Sequence, residues 1–136
     1  MTINVELRDD QAARLDRFAT SLRKSRGEAT AQLIEEGLRH AEFPAIEFRD
    51  SLVGRQAYVV GSRLAVWEVS MIAEGYGLEV AATAQHLQLD HDRVSQALRY
   101  ASVFESEVRE ALAENRAITL DNLRASLPPG AWVDIR

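Results

Sequence analysis

The sequence predicts a mainly α-helical protein with short strands, in two parts. The first is a strand–helix–helix segment that must dimerise to fold. The second is a small helical domain led by a β-hairpin. Three observations carry this reading. Residues 2–8 alternate apolar and polar side chains, the period of a half-buried strand. Residues 9–40 place apolar side chains at helical spacing behind two cap signals. After Phe43-Pro44, two strand-like runs precede several short helical patterns.

The elements follow in order. In TINVELR, Ile3, Val5 and Leu7 form one face and Thr2, Asn4, Glu6 and Arg8 the other. Asp9 offers an N-cap, with Asp10 in the first turn. Ala12, Leu15, Phe18, Ala19 and Leu22 then give a helix of about 15 residues. RKSRG ends it, and Ser25 with Glu28 forms the capping box of a second helix. Ala29, Leu33, Ile34, Gly37 and Leu38 are its apolar stripe, which runs to about His40. One strand cannot satisfy its backbone alone, and two short helices bury little surface. A two-fold dimer solves both problems, because paired strands can be closed over by four helices.

Residues 1–43 thus form the dimerisation segment. Residues 44–115 read as a helix-turn-helix-like domain, and residues 116–136 as a partner-binding tail. AIEFRDS and RQAYVV are the hairpin strands, with Gly54 near their turn. Gly61-Ser62-Arg63 is a second turn, and a helix follows from Val66 to Tyr76, ended by Gly75 and Gly77. Val80, Ala84 and Leu87 mark the next helix, and Val94, Leu98 and Ala101 the one after. Gln88-Leu89-Asp90 joins them, with Asp90 as N-cap. A hairpin ahead of two helices joined by a short turn is a winged-helix or helix-turn-helix layout. Phe104 to Asn115 continues or restarts as a helix. Trp67 and Tyr76 read as core residues, and Tyr100, Phe104 and Trp132 as core or interface aromatics.

Composition bounds the function. No cysteine is present, so disulfides, thiolate metal sites and thiol nucleophiles are out. The longest apolar runs fall short of a membrane span and no signal-peptide pattern is seen, so the expected location is cytoplasmic. The formal net charge of -5 argues against coating DNA by bulk charge but leaves room for a local basic patch. Asp90-His91-Asp92 reads as a solvated cap, not a metal site. There is no catalytic triad, P-loop or dinucleotide-binding glycine pattern, so the expectation is a non-enzyme without cofactor or metal.

INVELRDD and SRGEATAQLIEEGLR resemble the ribbon-helix-helix family of Arc, MetJ and CopG-type repressors, over about Thr2 to His40. The second string is close to a form common in small antitoxins of this fold, which usually carry Ser where this chain has Gly27. The resemblance implies that Ile3, Val5 and Leu7 point into a dimer core. Thr2, Asn4 and Glu6 then face bases in the DNA major groove, with Arg8 at the ribbon's edge. Asn pairs with adenine, and Glu accepts from cytosine N4. Glu6 departs from the family's small polar or basic residues, which favours selective reading over strong general affinity. The start of the second helix, with Ser25, Arg26 and Gly27, would offer backbone N–H groups to a phosphate, helped by Arg23 and Lys24. The rival use of this segment is dimerisation without DNA. The ribbon's polar face and the cap cluster favour DNA.

The second segment, about Pro44 to Leu112, resembles an antitoxin-associated family, domain-of-unknown-function family 433. VGRQAYVVGSRLAVWEV and the helices of AATAQHL and DRVSQALRYA carry the likeness. Gly61, Arg63, Val66 and Trp67 match its hairpin turn, where Arg63 is expected to bond across the turn and hold the helix start. Together the two resemblances imply a VapB-like antitoxin of a type II toxin–antitoxin pair. Such a protein represses its own operon and blocks a PIN-like ribonuclease toxin encoded nearby. Arg116, Arg124 and Arg136 would meet the toxin's carboxylates, and Trp132 would anchor the tail. The alternative is a stand-alone ribbon-helix-helix regulator without a toxin. The expected partners are therefore operator DNA, the toxin and a second copy of the chain, with no membrane.

Overall fold

The computed structural model describes residues 1–126. Within them the protein is mainly helical, with six helices and one two-stranded antiparallel sheet. The chain divides into two compact units, the first Met1–Glu42 and the second from Phe43 onward.

The first unit holds two helices, α1 (Asp9–Ser21) and α2 (Arg26–Glu42). Arg8, not Asp9, occupies the N-cap of α1. A guanidinium cannot accept a hydrogen bond. The start is held instead by Gln11, whose Oε1 accepts from the Arg8 backbone N–H at 3.0 Å. Asp9 and Asp10 then lie in the first turn, where they complement the helix dipole. The capping box of α2 is reciprocal. The Ser25 hydroxyl accepts from the Glu28 N–H at 3.1 Å, and the Glu28 carboxylate accepts from the Ser25 N–H at 3.2 Å.

Residues 2–8 form no strand in the single chain. A strand needs a neighbour to take its backbone N–H and C=O groups, and the first unit has no second strand to offer. Ile3, Val5 and Leu7 stay 69%, 71% and 44% exposed. The apolar stripe of α2 is also left open, since Leu33, Ile34 and Leu38 are all exposed. Only Ala19 and Ala29 are buried in this unit.

The second unit has a proper core. Strands β1 (Ile46–Ser51) and β2 (Gly54–Val59) pair antiparallel with Ile46 opposite Val59 and Phe48 opposite Ala57. These four side chains share one sheet face, which packs into the core. Four helices follow: α3 (Val66–Glu74), α4 (Val80–Leu87), α5 (His91–Val103) and α6 (Glu105–Ser126). Val66, Val69, Val94, Ala97 and Tyr100 are fully buried between them. Tyr100 sits in an aromatic cluster, with ring centroids 5.5 Å from Phe43 and 4.7 Å from Phe104. Its hydroxyl donates to Glu107 at 2.8 Å, so its polar end is satisfied.

Three expectations are corrected here. Tyr76 is not a core residue. It is 43% exposed, and its hydroxyl bonds His86 Nδ1 at 2.8 Å. Arg63 is exposed and makes no side-chain bond across its turn. That work falls to Arg49, whose Nη1 donates to the Ser62 carbonyl at 2.7 Å, and Arg93, whose Nη1 donates to the Val60 carbonyl at 2.9 Å. Both are anchored by regular elements, whereas Arg63 lies at the tip of the turn. Finally, α6 runs without a break across the expected boundary at Asn115 and reaches Ser126. The stretch from Glu105 to Ser126 has no Gly or Pro to stop it. Trp67 packs, partly buried, against the core, and Trp132 lies outside the described residues. No helix among the described residues is long and apolar enough to cross a membrane.

Candidate nucleic-acid interface

The residues assigned to DNA fall in two places on the first unit. Thr2, Asn4, Glu6 and Arg8 lie along the leading segment, all exposed. Arg8 is not a free cation. Its Nε meets Asp10 Oδ1 at 3.0 Å, and that hydrogen bond holds the Asp10 carboxyl below the usual range.

Arg23, Lys24, Ser25, Arg26 and Gly27 form the turn between α1 and α2. The α1 helix ends because Lys24 N–H turns back to the Ala19 carbonyl at 3.0 Å, which requires Arg23 to take φ of 54°. A left-handed arginine costs about 1 kcal/mol against glycine. The turn therefore holds a cation where a glycine would relax the backbone.

The cations of this turn are unequally available. Arg26 is committed: its Nε and Nη2 both meet the Asp16 carboxylate at 2.8 Å, tying α2 to α1. The pair draws the Asp16 carboxyl down and pushes the Arg26 guanidinium up. The expectation for Arg26 concerns its backbone N–H, which this side-chain pair does not engage. Nothing in the one-dimensional pattern shows that residues ten apart face each other across a turn. Lys24 donates to the Gln32 side chain, a neutral partner that leaves its charge intact. Arg23 is exposed, and its side chain makes no hydrogen bond or ion pair among the described residues. The Glu28 carboxyl is lowered by its bond to the Ser25 backbone, so the box stays charged at neutral pH. Gly27 stands clear: a Cβ there would meet only Ser25 Oγ, at 4.0 Å. A serine side chain at that position would fit without displacement.

Arg14 and Arg17, which the sequence reading did not single out, are also exposed and unpaired among the described residues. Arg17 lines a shallow open depression on α1 with Asp16, Thr20 and Ser21. The Thr20 and Ser21 hydroxyls donate to carbonyls of their own helix at 2.9 and 2.7 Å.

In the second unit, α4 and α5 are joined by Gln88, Leu89 and Asp90, with Gln88 left-handed at φ of 55°. Asp90 stands at the N-cap of α5, but its carboxylate goes to Arg93 and not to a helix N–H, and that bond lowers its pKa. His91 and Asp92 are exposed beside it. Of the residues assigned to a toxin, Arg116 and Arg124 are exposed on α6, about 12 Å apart along its axis. Trp132 and Arg136 lie outside the described residues.

Compared with known proteins, the chain matches no family model, no curated protein and no solved structure.

Proposed function

We propose that this protein is a dimeric, operator-binding repressor of ribbon-helix-helix type that also serves as the antitoxin of a PIN-like ribonuclease. One observation carries the DNA-binding part. The first unit exposes Ile3, Val5 and Leu7 on a backbone with no strand partner, and exposes Leu33, Ile34 and Leu38 beside it. Two short helices that bury only two alanines completely cannot stand alone. A second copy supplies both missing parts at once, a strand partner and a cover for the apolar side chains. The alternation that turns Ile3, Val5 and Leu7 inward turns Thr2, Asn4 and Glu6 outward on a ribbon that fits the major groove.

The turn residues complete the interface. Arg26 and Gly27 bring the backbone N–H groups of the α2 N-terminus to a phosphate, the Ser25 N–H being taken by the Glu28 carboxylate, and Arg23 and Lys24 supply charge. Arg26 serves by bracing the turn against α1 through Asp16. In the second unit, the β1–β2 hairpin beside α4 and α5 is read as a winged-helix layout. The exposed residues Asp90, His91 and Asp92 of its helix pair are poorly suited to phosphates, and Gln96, expected beside them, is half-buried and accepts from the Ala45 N–H at 2.8 Å. That unit is assigned to the toxin, with Arg116 and Arg124 on α6 directed at the carboxylates of its metal-binding cleft.

A gel shift on the DNA upstream of the gene tests the first half of the proposal. The full chain is expected to bind, and Asn4→Ala to weaken binding by about 1–3 kcal/mol without changing the dimer. A chain that stays monomeric by sedimentation, or a dimer indifferent to Asn4→Ala, would falsify the ribbon assignment. Inhibition of the purified nuclease tests the second half, and Arg116→Ala with Arg124→Ala is expected to reduce it.

A further inference from the structure

The turn between α3 and α4 is built in a way that folding alone does not explain. The α3 helix closes with a bond from the Leu78 N–H to the Ala73 carbonyl at 2.7 Å. To make it, Gly77 and Leu78 both take positive φ, 63° and 64°. Glycine tolerates that region and leucine does not, because its Cβ crowds the carbonyl. In helix endings of this kind an apolar residue at the position of Leu78 commonly packs back on the helix. Leu78 does not: it is 57% exposed. The chain thus holds a large apolar side chain in an unfavourable backbone state and shows it to solvent.

Its neighbours share the pattern. Tyr76, two residues earlier, is 43% exposed, and its ring is fixed by the bond to His86 and an edge-to-face contact at 5.6 Å. Glu74 and Glu79 flank the pair, both exposed and neither in an ion pair among the described residues. Glu79 is further pinned by accepting from the Ala82 N–H at 2.9 Å. The result is a stiff apolar knob between two carboxylates. A rigid aromatic and an apolar side chain in an acidic setting suit a pocket that is greasy inside and cationic at its rim.

We propose that the Tyr76–Leu78 turn is the docking knob for a nucleic-acid-processing protein partner, seated in an apolar pocket of that partner rimmed by Arg or Lys. Any protein that handles RNA needs cations along its substrate path, and Glu74 and Glu79 occupy the place of phosphates on that path. The inference rests on the nuclease partner of the previous section and deepens it. The α6 arginines address the acidic centre, and this turn addresses the basic approach to it.

The test uses the full chain and the purified PIN-like ribonuclease encoded beside its gene, with affinity measured by calorimetry. Leu78→Gly removes the knob and relieves the backbone at once. It is expected to raise Tm by a few degrees while weakening nuclease binding roughly tenfold or more. Glu74→Lys is expected to leave Tm unchanged, to weaken binding, and to reduce its dependence on salt. Leu78→Gly protein that is stabilised and binds as tightly as the parent overturns the inference but leaves the antitoxin reading standing. A parent chain that does not bind the nuclease overturns both. A loss of self-association in Leu78→Gly, seen by sedimentation, overturns it by assigning the knob to a second copy.

Discussion

Val5 offers the sharpest test of the dimer, because its effect can be worked from exposure. Burying a methylene stabilises by about 0.8 kcal/mol. Val5→Ala removes two carbons, or about 1.6 kcal/mol at full burial. Val5 is 71% exposed in the single chain, so only that fraction is left to gain when a second copy covers it. The loss is then about 1.1 kcal/mol per copy and, with both copies changed, about 2.3 kcal/mol per dimer. At about 1.4 kcal/mol for each factor of ten, the dissociation constant should rise roughly 40-fold. Sedimentation equilibrium over a range of concentrations measures this directly. Circular dichroism on the same samples should show helix content falling with the dimer, since α1 and α2 bury little by themselves. Asn4→Ala is the paired control. It lies on the opposite face of the same segment and should leave the dimer unchanged. Equal dimer affinity for parent and Val5→Ala, or a larger loss for Asn4→Ala, would show that the strand does not use this face.

Two further outcomes are expected. The Asp16 carboxyl lies below the ordinary aspartate value of about 3.9, held there first by its hydrogen bond from Arg26. A depressed carboxylate contributes stability that is present above its unfolded pKa and lost as pH falls through the folded one. Thermal melts should therefore fall off below about pH 4, and Asp16→Asn should flatten part of that fall. A part should remain, because Asp10, Glu28 and Asp90 shift in the same direction. If Arg23 and Lys24 alone serve phosphates, a dimer makes four such contacts. The logarithm of operator affinity should then fall against that of salt with a slope of about −3.6, and Lys24→Gln should reduce the slope by about 1.8. A slope unmoved by Lys24→Gln would remove the turn from the interface.

Much of the fold was legible because its signals are local. The capping box at Ser25 and Glu28, the hairpin around Gly54, and the start of α5 after Asp90 are set by residues within a few positions of each other. The apolar spacing of Val94 and Tyr100 gives a buried face once neighbouring helices cover it. What escaped depends on distance along the chain. The pair of Arg26 with Asp16 escaped because the two residues lie on different helices. Arg63 looked like the brace of its turn because Arg49 and Arg93 are far away in sequence. Tyr76 looked buried because aromatic residues usually are, whereas its turn carries it outward. The end of α6 was set short at Asn115 because a run such as EALAENRAITLDNLRAS carries helix formers but little apolar contrast. The expected strand over residues 2–8 is a different case. Its alternation is plain in the sequence, but the single chain forms no strand there, and the first unit has no second strand to pair with it.

Under the proposed function, charge assigns the two units to different partners. The first 42 residues carry seven basic and eight acidic side chains, and the rest of the chain nine and thirteen. The first unit is thus nearly neutral, and its internal pairs sort what charge it has. Asp10 is matched by Arg8 and Asp16 by Arg26, while Arg14, Arg17, Arg23 and Lys24 form no ion pair among the described residues, the last two lying in the turn before α2. That is a small, placed charge, suited to fixing register on a duplex rather than to holding it by bulk attraction. The second unit could not take that role, because its excess of carboxylates would oppose the phosphates at every approach. The same excess becomes an asset against a cationic surface, and a protein that binds RNA must present one. If the proposed function holds, a chain with net charge of -5 serves DNA and a nuclease best with the two tasks on separate units, and the division between Glu42 and Phe43 is compatible with that.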